Sequence, residues 1–132
     1  MAVKVMIADD HSMIREGLKQ LLELEGDFEV IEEACDGVEC LEKLQKTTPD
    51  VLLLDINMPN MNGLEVLTNI RKQRMKVKVL VLTVHNEVEY LLKAVDIGIN
   101  GDLLKDSVSA ELMKAILTVV NGEDYIQPSL IP

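Results

Sequence analysis

Val51-Leu52-Leu53-Leu54-Asp55-Ile56-Asn57-Met58-Pro59 sets four aliphatic residues in a row directly before an acid and then closes on a proline. A strand with water on one face alternates apolar and polar residues, whereas an unbroken aliphatic run suits a parallel strand covered on both faces. Near-continuous runs recur at Val3 to Ala8 and Val77 to Leu82, with weaker ones at Phe28 to Ala34 and Gly101 to Leu104. Between the runs, apolar residues return every three or four positions, as at Ile14, Leu18, Leu21 and Leu22, or at Leu64, Leu67 and Ile70. That spacing predicts a helix after each strand, hence five βα units and an α/β sandwich of three layers. Three helix entries carry an Asx residue with Glu three positions on: Asp36 with Glu39, Asn62 with Glu65, and Asn86 with Glu89. For five strands the common doubly wound order is 2-1-3-4-5, with ligands at the carboxyl ends near the reversal between strands one and three. The order is taken over from that general arrangement and is not read from these residues.

The 132 residues fit one domain, with 48 % apolar and 27 % charged residues and no apolar run of membrane-spanning length. No charged leader with a long apolar stretch precedes the first strand, so a cytoplasmic location is expected. A net charge of −10 repels both a phosphate backbone and anionic lipid, so neither nucleic acid nor membrane is expected to bind through this chain. Residues 20 to 42 hold nine acids and no base, and Arg71, Lys72, Arg74, Lys76 and Lys78 form a basic run; both are expected to be solvated faces. Cys35 and Cys40 match neither a redox pair nor a zinc spacing and are expected to pack.

The chemistry sits where the strands end. Strand one stops at Asp9-Asp10, strand three at Asp55-Ile56-Asn57, strand four at Thr83 and strand five at Lys105, all on one rim of the sheet. Three converging carboxylates call for a cation, and oxygen ligands with room for water suit Mg²⁺. Asp10 and Asp55 are the expected direct ligands, Asp9 the holder of a metal-bound water, and the Asn57 backbone carbonyl a further oxygen. A carboxylate beside Mg²⁺, a hydroxyl and an ammonium is equipped to receive a phosphoryl group. Asp55 is the expected acceptor, Lys105 the point charge on the phosphoryl oxygens and Thr83 a hydrogen-bond donor to one of them. His11 and His85 are not expected to ligate, since a hard cation does not favour imidazole.

These stretches, with Asp9-Asp10-His11, Asp55 to Pro59 with Gly63, Thr83, and Leu103-Leu104-Lys105-Asp106, resemble the receiver domains of two-component response regulators. The segment from Asp9 to Leu18 is similar to the NarL/FixJ branch, whose members usually add a C-terminal helix-turn-helix. The resemblance covers about residues 3 to 121. It implies the CheY-like, flavodoxin-like fold with five flanking helices, and phosphotransfer from a histidine kinase to Asp55 with Mg²⁺. It also implies an altered surface on the last helices and strand, and leaves room for a homodimer on activation. The expected organisation is a receiver domain over residues 1–121, with residues 122–132 starting a linker to a DNA-binding output domain absent from this chain. The chain is expected to assist its own phosphorylation and dephosphorylation without being an enzyme on another substrate. At the switch position, three residues before Lys105, the family usually carries an aromatic residue; here it is Asp102, which has no ring to rotate inward. Burying its charge is costly, so Asp102 is expected to stay turned outward. Competing readings are a small Mg²⁺-dependent phosphatase of the haloacid-dehalogenase type and a degenerate receiver acting only through protein contacts. The first places its nucleophile early in an Asp-x-Asp pattern, an order not followed here. A flavin or nucleotide site would call for a Gly-rich loop after strand one, which is missing.

Overall fold

A computed structural model describes residues 2–84 and 87–126. Its strands are β1 (Val3–Ala8), β2 (Phe28–Ala34), β3 (Val51–Asp55), β4 (Lys78–Thr83) and β5 (Gly101–Leu104). They form one sheet in the order β2-β1-β3-β4-β5, and every pairing is parallel. The helices are α1 (Ser12–Glu23), α2 (Gly37–Leu44), α3 (Gly63–Lys72), α4 (Val88–Ile97) and α5 (Val108–Val120).

Alternation along the strands divides the core in two. Val5, Ile7, Leu53, Leu80, Leu82 and Leu103 pack with α1 and α5, whereas Met6, Ala8, Leu52, Leu54, Val79 and Val81 pack with α2, α3 and α4. Both faces of β1, β3 and β4 are thus covered, which is why their central residues are apolar in unbroken succession: Val5 to Ala8, Val51 to Leu54 and Val79 to Leu82. β3 runs one residue further than the aliphatic pattern, through Asp55, and β4 spans Lys78–Thr83 where the pattern gave Val77 to Leu82. The shift follows from the ladder: Asp55 pairs with Leu82 and Thr83 with Leu104, so both polar residues are the last members of their strands.

The helix entries follow the capping signals where they can be described. Asn62 and Glu65 form a reciprocal capping box, and Asp36 accepts the Glu39 N–H at 2.8 Å. The Glu39 side chain reaches back one residue further than expected, to the Cys35 N–H at 2.7 Å. Asn86 lies outside the described residues. Three readings need correction. Cys35 is exposed, because it sits in the turn between β2 and α2, while Cys40 is buried on α2 as expected. The acidic stretch is partly neutralised, with Glu33 paired to Arg15 and Lys19, and Glu32 to Lys43. Arg71 is half-buried: its guanidinium donates to the Gly98 carbonyl at 2.7 Å and to Asn100 Oδ1 at 3.2 Å, tying α3 to the turn before β5.

Candidate functional site

The carboxyl ends of β1, β3, β4 and β5 meet at one rim, with Asp9, Asp55 and Thr83 no more than 1 % exposed. Asp9 is set by the backbone. Its N–H donates to the Ala34 carbonyl at 3.0 Å, and its own carbonyl accepts from Arg15 Nη1 at 2.6 Å. One carboxylate oxygen of Asp9 accepts the His11 N–H at 2.9 Å and lies 3.0 Å from His11 Nδ1. Asp10 is partly exposed, 3.1 Å from the same ring nitrogen.

Asp55 is fixed from both sides of its loop. Its Oδ1 accepts the Asn57 N–H at 3.1 Å, while the Gly63 N–H closes the loop onto the Ile56 carbonyl at 3.0 Å. A β-carbon on Gly63 would sit 2.5 Å from the Asp55 carbonyl oxygen and 2.6 Å from Ile56 Cα, so this close approach requires glycine.

The second oxygens of Asp9 and Asp55 each face Lys105 Nζ at 3.3 Å. Burial, then the Asp9 charge, pushes the Asp55 carboxyl up from 3.8 to about 6, against the opposing pull of the Asn57 N–H and Lys105. At Lys105, burial works against the charge, but Asp55 and Asp9 outweigh it and the ammonium is raised above its ordinary value. Thr83 Oγ1 is buried with no hydrogen-bond partner among the described residues. Asp9, Asp10, His11 and Asp55 each bring a ligand atom within 4.8 Å of the others. The structure therefore draws together Asp9, Asp10 and Asp55, with Lys105 in contact, and places Asn57 against Asp55 through its N–H.

The geometry is that of a buried anionic socket with one ammonium and an idle hydroxyl. Residues 5–117 match the family model for the response regulator receiver domain. The chain belongs to the response regulator receiver domain family. Among curated receiver-containing proteins it is 38 % identical over 128 residues to the transcriptional regulatory protein DegU of Brevibacillus brevis, covering 97 % of this chain and 54 % of DegU. It is equally 38 % identical to the nitrate/nitrite response regulator protein NarL of Escherichia coli K12, covering 97 % of this chain and 59 % of that protein. The chain thus spans little more than half the length of these relatives. The solved receiver domain of NarL from Mycobacterium tuberculosis superposes with a TM-score of 0.86 at 38 % identity, over 92 % of this chain and 98 % of that one. The isolated receiver domain of RcsB from Salmonella enterica serovar Typhimurium, solved with phosphomimetic BeF₃⁻, gives 0.88 at 27 % identity, over 98 % and 96 %. Family and strand order both agree with the resemblance drawn from the motifs, and the phosphatase reading falls away. Among the described residues no helix is long and apolar enough to cross a membrane.

Two site expectations change. Asp102 is fully buried, not turned outward. The reason is the register of β5: Asp102 pairs with Val81, whose side chain lies on the sheet face covered by α2, α3 and α4. His11, set aside as a ligand, nevertheless lies within the carboxylate cluster, because the turn from β1 into α1 folds its ring back over Asp9 and Asp10. Arg15 and its hold on Asp9 were not singled out from the sequence. The signal that could find it is a long cation at helical spacing behind an Asp-Asp strand end. His85 lies outside the described residues.

Proposed function

We propose that this receiver domain takes a phosphoryl group from a histidine kinase onto Asp55, with Mg²⁺ bound beside it, and that the phosphorylated domain controls an output domain elsewhere in the full protein. The observation that carries this reading is Asp55 itself: a buried carboxylate at a strand end, 3.3 Å from one ammonium, with a buried hydroxyl on the adjacent strand that has no partner among the described residues.

The donor set fits a hard divalent cation. Two buried carboxylates share a single lysine and a third, partly exposed carboxylate lies beside them, an excess of negative charge that Mg²⁺ offsets better than imidazole does. Asp10 and Asp55 would hold the ion directly, Asp9 through water, and the Asn57 carbonyl would add an oxygen. When bound, Mg²⁺ supplies charge neutralisation at the oxygens of the group being transferred.

The chain's own residues do the rest. An oxygen of Asp55 attacks the phosphorus of a phosphohistidine; the new P–O bond forms as the P–N bond breaks, and the imidazole leaves with its electron pair and takes a proton. Lys105 needs only a small movement to pair with the phosphoryl oxygens. The Thr83 hydroxyl donates to one of them, gaining the partner it lacks. Hydrolysis by water at the same phosphorus returns the carboxylate, so the domain assists both directions without acting on another substrate. Phosphorylation adds roughly −1.5 to −2 charges to an already anionic pocket, enough to draw Thr83 and Lys105 inward and bias the face of α4, β5 and α5.

At −10 net charge this chain does not bind DNA; the DNA-binding function belongs to an output domain, in keeping with the relatives named as transcriptional regulators. The test is incubation with Mg²⁺ and a small phosphodonor, followed by mass spectrometry. One phosphoryl group should appear on Asp55 and be absent from Asp55→Asn; uptake by that variant at the wild-type rate would refute the assignment.

A further inference from the structure

After α5 the chain does not leave the domain. Gly122 turns it back with φ +92, and Tyr125 comes to lie beside Gly101 at the outer edge of β5. The Tyr125 N–H donates to the Asn100 carbonyl at 2.9 Å, and the Asp102 N–H donates to the Tyr125 carbonyl at 3.0 Å. The Tyr125 side chain packs on the core shared with α1 and α5, and its hydroxyl donates to Glu111 Oε1 at 2.6 Å. That hydrogen bond, with burial, pushes the phenol up to about 12, so it stays a donor across the physiological range. The approach is built into β5: a β-carbon at Gly101 would lie 2.7 Å from the Tyr125 carbonyl oxygen and 2.6 Å from Leu80 Cδ2.

We propose that residues 123–126 are a releasable latch on β5, coupled through that strand to the carboxylate cluster, so that a change at the cluster loosens the hold of these residues on β5. The coupling path is short. β5 has four residues; the latch holds it at Gly101 and Asp102, Leu104 pairs with Thr83, and the next residue, Lys105, bridges Asp9 and Asp55. Moving Lys105 toward a group on Asp55 pulls on a strand whose other end is fastened by bonds of 2.9 and 3.0 Å. Such bonds weaken once stretched by about half an ångström. The latch is also poised for release: besides Tyr125 and the partly buried Ile126 it consists of exposed Glu123 and Asp124, two of the acids of a chain whose net charge is −10. Coupling of this kind is reciprocal, so what the cluster does to the latch the latch does to the cluster.

The phosphoryl half of this inference rests on the acceptor role proposed for Asp55, so the experiment has an arm that does not. Amide hydrogen exchange is followed at Asp102 and Tyr125, with Ile7 on β1 as the folding control. In Lys105→Met, without any phosphoryl analogue, exchange at both amides accelerates about fivefold or more while Ile7 is unchanged. In the wild-type chain with Mg²⁺ and beryllofluoride, the same acceleration follows once ¹⁹F NMR shows the analogue bound. Bound analogue with unchanged exchange overturns the latch. Failure of the analogue to bind counts against the acceptor reading instead, and the Lys105→Met arm then decides alone: exchange there within about twofold of wild type overturns the coupling.

Discussion

Replacing Asp55 by asparagine should make the unphosphorylated domain more stable, because this residue is charged where the fold disfavours charge. Burial first, then the Asp9 charge, raises its carboxyl from 3.8 to about 6. The folded chain therefore holds the Asp55 proton to higher pH than the unfolded chain does. Between these two values the folded state binds more protons, so stability falls as pH rises through the window, and the whole cost is present above the upper value. A shift of roughly two units at about 1.4 kcal/mol each puts that cost at about 3 kcal/mol. Asparagine keeps the shape and removes the charge. Part of the gain is offset because Lys105 loses one of its two carboxylates, though Asp9 remains at 3.3 Å. The expected result is a stabilisation of about 1–3 kcal/mol for Asp55→Asn in metal-free buffer at about pH 7.5, shrinking to a fraction of that at about pH 4.5. Urea unfolding of both proteins at both pH values measures it. A variant no more stable than wild type at the higher pH, or equally stabilised at both, would refute the reasoning that Asp55 is held under electrostatic stress.

Saturating Mg²⁺ should relieve the same stress in the wild type, by about 2.7 kcal/mol at a concentration one hundred times Kd, and should stabilise Asp55→Asn far less; thermal unfolding with and without the ion reads this directly. Asp10→Ala should weaken Mg²⁺ affinity about tenfold or more by calorimetric titration, since one of two direct carboxylates is lost. Gly63→Ala should cost about 1–3 kcal/mol by urea unfolding, because its β-carbon would press on the backbone of Asp55 and Ile56. Asp102→Tyr should also cost about 1–3 kcal/mol, since the position is fully enclosed and a ring there would have to displace its neighbours.

How far the sequence could be read depends on which interactions are local. The near-continuous apolar run at Val3 to Ala8 and the unbroken one at Val51 to Leu54 leave little choice but parallel strands covered on both faces, and each strand then delivers its final polar residue to the same rim. Asp9, Asp55, Thr83 and Lys105 are legible for that reason, with no knowledge of the side-chain distances. Asn62 and Glu65 make a helix entry out of four consecutive residues, so that too is written locally. Asp102 is different. Its burial depends on which face of a four-residue edge strand it takes, and Gly101 beside it gives no apolar alternation to read. Tyr125 is flanked by Glu123, Asp124 and the later Pro128, a composition that looks like a linker; only the gap left by Gly101 on a distant strand shows where its backbone fits. Arg71 sits in a run of cations, and its burial follows from a carbonyl and an amide supplied by the turn before β5.

The sheet ends in β2 on one side and β5 on the other, and a free strand edge is a template for joining other molecules. β2 answers this with charged side chains, Glu29 together with Glu32 and Glu33 and the Lys43, Arg15 and Lys19 that pair with them, which a second copy would have to desolvate. β5 has no such row of charges, being Gly101, Asp102, Leu103 and Leu104, and is shielded by the backbone of Tyr125. A version of the domain ending before that residue would therefore keep its fold and its carboxylates while exposing an apolar edge to its neighbours. Self-association of a chain cut back to residue 124 would then report an uncovered edge, not a signalling dimer.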